Sequence, residues 1–175
     1  DISLDLIVKS GTFGSSKDDL STGIYVGGRY GGNHYSSRRG KIEGGYIYNL
    51  IGGPLTGSTR GNVNDIYIYM TGGTIDMITG GAGTTATYGN RIVSVTGGKV
   101  NYSVFGGSNG ATGTNGDGTL NGTTYIYIGG KAQIGDENLI NTNSTLYGAE
   151  SGSVFGIGNG RTEYETIGSC DNSII

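Results

Sequence analysis

Apolar and polar residues alternate in several short runs, each stopped by a glycine-rich corner. ISLDLIV (2–8), DIYIYM (65–70), RIVSV (91–95) and TYIYI (124–128) all follow a period of two, the mark of a strand with one buried face. A second, shorter apolar stretch follows each corner, and a second glycine corner closes the unit. DIYIYMTGGTIDMITGGAG (65–83) and RIVSVTGGKVNYSVFGGSNG (91–110) are the clearest copies. TYIYIGGKAQIG (124–135) begins another, and LDLIVKSGTF (4–13) carries Ser10-Gly11 at the same place. EGGYIYNLIGGPLTG (43–57) has the corners, but its preceding strand SRRGKIE (37–43) is weak. The second corner recurs at VGGRYGG (26–32), IGGPLTG (51–57), TGGAG (79–83), FGGSNG (105–110) and FGIGNG (155–160). Its starts lie roughly 25–28 residues apart until the last interval, which is about 50. LYGAESG (146–152) reads as one more corner, so that interval is expected to hold an added unit rather than one unit with a long insertion.

A period of this size belongs to stacked repeats or propellers, and a propeller blade needs about 40 residues and four strands. Only two or three short strands fit in each unit here. The expectation is an all-β fold: a single domain over 1–175, built as a right-handed parallel β-helix of about six coils spaced about 4.8 Å apart. Alternation then predicts inward columns. The first strands supply Leu4, Leu6, Val8; Ile66, Ile68, Met70; Val93, Val95; and Ile126, Ile128. Beyond the corner, Phe13, Ile47, Ile75, Val100 and Ala132 form one column, and Leu50, Ile78, Val104 and Val154 another. Insertions at 57–64, 82–90, 108–123 and 136–145 are expected as loops on one side, with a further insertion at 14–22.

Composition narrows the class. Of 175 residues 38 are glycine, yet only one is proline and no glycine period of three exists, so collagen is excluded. Thirteen tyrosines and many β-branched residues argue against disorder. The net charge of −3 offers no basic excess for nucleic acid. No apolar run reaches the ~18 residues needed to span a membrane. Cys170 is the single cysteine, so it has no internal disulfide partner and reads as a small buried hydrophobe.

Candidate chemistry is sparse. The carboxylates Asp5, Asp18, Asp19, Asp65, Asp76, Asp117, Asp136 and Glu137 are scattered, whereas a glycosidase needs a pair at defined separation. No catalytic residue is assigned. GTNGDGTLNG (113–122) echoes a calcium repeat, but it is one copy with mismatched offsets, so no metal or cofactor is expected. Thr84, Thr85 and Thr87 cluster without recurring unit by unit. The only histidine, His34, sits among Arg29, Arg38, Arg39 and Lys41, a local basic patch suited to an anionic polymer. Tyr67 and Tyr69 are expected to face outward, with Tyr125 and Tyr127 in the same column two units on and Ile92 and Ser94 between them. Flat aromatic rows on a sheet can stack on sugar rings.

TGGTID (71–76), TGGKVNYSVFGGSNG (96–110) and SGSVFGIGNG (151–160) carry a pattern that resembles the Gly-rich repeats of large bacterial cell-surface, adhesin-like proteins. The likeness extends over residues 2–160. It implies an extracellular or cell-surface β-helical stalk or adhesin module from a bacterium. The leading functional expectation is therefore a non-enzymatic structural or adhesive surface-display module. A carbohydrate-binding module using the outward tyrosines is the alternative, and a polysaccharide lyase or glycoside hydrolase a more distant third. Strand-like sequence at both ends, without a polar cap, leads to one further expectation. The partners would be further repeats or other copies joined end to end in an array or filament, with a polysaccharide as the other candidate.

Overall fold

In the computed structural model the chain is all-β, with no helix among the described residues: 2–16, 19, 21–28, 37–54, 65–82, 87–108, 120–139, 152–158 and 170–175. The strands in chain order are β1 (Ile2–Val8), β2 (Thr12–Phe13), β3 (Ile24–Tyr25), β4 (Ser37–Ile42), β5 (Tyr46–Ile51), β6 (Ile66–Met70) and β7 (Thr74–Thr79). They continue as β8 (Thr87–Tyr88), β9 (Arg91–Val95), β10 (Lys99–Phe105), β11 (Leu120–Ile128), β12 (Gln133–Ile134), β13 (Ser153–Phe155) and β14 (Cys170–Ile174). One sheet runs β1-β4-β6-β9-β11-β14, with β8 beside β11. The other runs β12-β10-β7-β5-β2, with β13 also on β10 and β3 also on β5. All pairings are parallel. The chain alternates between the sheets, so neighbours in one sheet are joined through the other.

The register stacks like on like. In the first sheet Leu6, Gly40, Ile68, Val93 and Ile126 form one column, and Val8, Ile42, Met70, Val95 and Ile128 the next. Strands burying alternate residues this way show a strict buried/half-buried alternation, as β6 and β9 do. In the second sheet Phe13, Ile47, Ile75, Val100 and Ile134 share a column. Ile24, Leu50, Ile78, Val104 and Val154 share another. Residues of both sheets meet in one apolar cluster. Each fully buried isoleucine there contributes roughly 1.5–3 kcal/mol.

Ile47 and Leu50 are three residues apart yet both lie in that cluster. Straight alternation would put them on opposite faces, so the second strand bends at Tyr48-Asn49. The bend is where units differ. In β10 it carries an irregularity between Val100 and Ser103. In the first unit residues 14–23 open it into β2 and β3, and in the fifth residues 135–152 open it into β12 and β13. Asn49 braces the earlier insertion, its Nδ2 donating to the carbonyls of Ser16 (3.0 Å) and Asp19 (3.2 Å).

Four sequence expectations change. The weak strand is a full member of the first sheet, because Gly40 leaves a gap in its column that Val26 fills. A Cβ on Gly40 would lie 2.9 Å from Val26 Cγ2. Ala132 does not occupy the Val100 column; Ile134 does. The Gly129-Gly130 pair follows Ile128 directly, where Thr96 precedes Gly97, and the turn then holds one residue more. The long last interval is one unit: β11 pairs directly with both β9 and β14, and β12 and β13 divide one strand position on β10. Finally, the expected insertion at 136–145 lies inside the second strand, not at the crossing back to the first sheet that the other three share. The side chains of Leu4 and Cys170 lie outside the described residues.

At the first corner the backbone conformation itself calls for glycine, whereas Gly52, Gly53, Gly80, Gly81, Gly106 and Gly107 of the second corner do not have positive φ. Gly45 and Gly73, second members of their pairs, have φ of 86° and 83°, a region L-residues avoid. A Cβ on Gly73 would also lie 2.8 Å from the carbonyl carbon of Gly44 in the neighbouring unit.

Candidate binding face

The first sheet turns two rows of side chains away from the core. One holds Asp5, Arg39, Tyr67, Ile92, Tyr125 and Ile174; the other holds Ile7, Lys41, Tyr69, Ser94 and Tyr127. The expected placement of the four tyrosines, with Ile92 and Ser94 between the pairs, is therefore met. Tyr125 is 41% and Tyr127 61% exposed, while Tyr67 and Tyr69 are half-buried. The Tyr67 and Tyr69 rings run nearly parallel, 14° apart with centroids at 6.4 Å. Burial, then the Asp65 carboxylate, pushes the Tyr67 phenol above its ordinary pKa.

Among the described residues of the basic patch, Arg38 does not share a face with Arg39 and Lys41. Arg39 and Lys41 stand on this outer face. Arg38 takes the opposite parity, in register with Ile66 on the core-facing side, as alternation requires of adjacent strand residues. Arg29 and His34 lie outside the described residues, as do Asp18, Asp117, Thr84, Thr85 and most of the 113–122 loop. Arg39 donates from Nε to Asp5 Oδ1 at 2.8 Å, with a second bond to Oδ2. That bidentate contact lowers the Asp5 carboxyl and raises Arg39. Lys41 makes no salt bridge among the described residues.

Two features escaped the sequence reading. Arg91 sits on the inward side with no exposed surface. Its guanidinium donates to the carbonyls of Asn90 (2.9 Å) and Tyr88 (3.0 Å), and burial pushes its pKa down to about 9. Beside it runs a side-chain ladder: Asp65 Oδ1 accepts from Asn90 N at 2.7 Å, and Asn90 Oδ1 accepts from Thr123 N at 3.0 Å. The only signal for Arg91 was a charge at inward parity.

The second feature lies on the second sheet. Asp76 is 5% exposed; Tyr46 donates its hydroxyl to Oδ1 at 2.6 Å and Asn101 its amide at 2.7 Å. Burial, then the bond to Asp76, pushes the Tyr46 phenol far up, so it holds its proton and offers no acid or base near neutrality. The cluster ties three successive units together. The remaining described aspartates with hydrogen-bond or ionic contacts are each used separately: Asp5 by Arg39, Asp19 by Ser15 and Ser21, Asp136 by Lys99 and Asn138. No group of three metal-ligating side chains occurs among the described residues.

No protein-family model, curated protein or solved structure matches the chain. No helix of the described residues is long and apolar enough to cross a membrane.

Proposed function

We propose that the chain is a right-handed parallel β-helix serving as a rigid surface-display module of a bacterial extracellular protein. Support for the helix comes from a chain that passes repeatedly back and forth between two parallel sheets, one shared core and like-on-like columns. Parallel crossovers are right-handed in about 98% of cases, which favours that hand. One observation carries the display role: register is indifferent to the length of chain between partners. Only 25 residues separate Ile68 from Val93, and 34 separate Leu6 from Gly40, yet each pair belongs to one column. A frame that holds register while its connections vary is suited to presenting variable loops.

An epitope inserted between residues 109 and 119 tests this reading. The full chain, displayed on bacterial cells, is expected to bind antibody while its melting temperature stays within a few degrees. Loss of the cooperative transition, or a tag hidden from antibody on intact folded protein, overturns the display role. An experimental structure with separate cores for the two sheets overturns the helix.

A further inference from the structure

We infer that the outer face of the first sheet binds a linear polysaccharide bearing carboxylates, of the polyuronate class. This deepens the display-module reading by naming what the module adheres to, and it rests on that reading. The register carries it. Tyr67/Tyr69 and Tyr125/Tyr127 occupy the same two rows, two strands apart, hence about 10 Å at about 4.8 Å per strand. Ile92 and Ser94 between them are shorter; the Tyr67 and Tyr69 rings run nearly parallel, and the Tyr127 ring lies beside Gly129. A phenol ring offers an apolar face to the C–H face of a sugar and a hydroxyl to its rim. A platform repeated at a fixed spacing suits a polymer rather than a single sugar. Tyr127, 61% exposed, leaves its ring accessible.

Charge selects the class of polymer. Arg39 is engaged by Asp5. Lys41, one strand beyond Tyr69 in the same row, has no salt bridge among the described residues. Of the charged residues in these two rows Asp5 is negative and Arg39 and Lys41 are positive, so the face is net positive although the chain as a whole carries −3. A chain of sugars stacked along the tyrosines brings a carboxylate to Lys41.

The test is titration of the full 175-residue chain with polygalacturonate and with its methyl ester. Polygalacturonate is expected to bind. Tyr125→Ala and Tyr127→Ala should each weaken binding about tenfold, the size of one aromatic contact, with the melting temperature unchanged. Lys41→Gln should weaken binding of the acid form but not of the ester, and that difference should vanish as salt is raised. Several results overturn the inference: no binding of polygalacturonate, binding indifferent to both tyrosine variants, equal affinity for acid and ester, or tyrosine-dependent binding only to anionic lipid vesicles. None of these residues is touched by the epitope insertion. Failure here with success there would thus leave the display reading intact and remove only the ligand.

Discussion

Gly40 and Val26 give the sharpest handle on how the core is built. Gly40 occupies a column position held in the next strands by Ile68, Val93 and Ile126, and Val26, 5% exposed, reaches into the space. Val26→Ala removes two methyl groups, about 1.6 kcal/mol at about 0.8 kcal/mol each, before any cavity cost. Gly40→Ala places a methyl 2.9 Å from Val26 Cγ2, closer than carbon atoms tolerate. Overpacking of this kind costs about 1–3 kcal/mol, offset by about 0.5–1 kcal/mol from replacing a strand glycine. In the double variant the obstructing methyl is gone and the new one partly fills the void. The two changes should therefore couple, with the double variant about 1–2 kcal/mol more stable than the sum of the singles. Urea titrations followed by far-ultraviolet circular dichroism, compared at constant m, measure this. Additivity within about 0.5 kcal/mol would mean Val26 does not replace the missing side chain, and the account of β4 as a full core strand would fail with it.

Two more outcomes follow from the same geometry. Ile68→Asp puts a carboxyl without a partner at a fully buried position; lost packing of about 2–5 kcal/mol plus desolvation of similar size approaches the whole stability of a domain. The variant should be unfolded or melt more than about 10 °C lower, and a melting temperature within a few degrees of the parent contradicts the columns. The Asp5, Asp19 and Asp136 carboxyls are all held below the ordinary aspartate value of 3.8, Asp5 and Asp136 chiefly by hydrogen bonds from Arg39 and Lys99, Asp19 by those from Ser21. Their folded pKa values lie below the unfolded ones, so their contribution is present above 3.8 and lost as pH falls below it. Chemical denaturation should find this contribution level from neutrality down to that value and lost beneath it, and Arg39→Gln should make the acid loss shallower.

The sequence made the columns legible because parallel stacking imposes two strong signals at once: a period of two along each strand, and the same residue class at the same place in every unit. Ile47/Ile75/Val100 and Leu50/Ile78/Val104 needed nothing more. What failed lay where one signal is absent. β2, β3 and β12 are two residues long, too short for a period, so the split of the second strand was invisible and the long interval read as an added unit. Ile134 was missed because the glycine anchor shifts against the strand there. Arg38 was legible and misread: adjacency in sequence was taken for adjacency on a surface, although neighbouring strand residues face opposite ways. The Asp76 cluster had only a faint signal: Asp76 and Asn101 each follow their inward Ile75 and Val100, but Tyr46 is in register with Thr74 and reaches Asp76 from a different place. Its burial comes from tertiary packing.

Insertion points and the tyrosine face are kept apart, and this separation is what makes the binding proposal compatible with the display proposal. Length varies chiefly at two places among the described units, the bend of the second strand and the crossing from the second sheet back to the first, apart from the one extra residue in the corner after Ile128. At both, the flanking residues are pinned in columns, and a pinned loop costs only about 0.6 kcal/mol more for each doubling of its length. Asp5–Val8, Arg39–Ile42, Tyr67–Met70, Ile92–Val95 and Tyr125–Ile128 stay in unbroken register throughout. An inserted loop therefore alters what is presented elsewhere without moving one tyrosine pair relative to the other. A polymer seated on those rows meets the same spacing whatever the loops carry, whereas a ligand held by the loops would meet a different site in each variant.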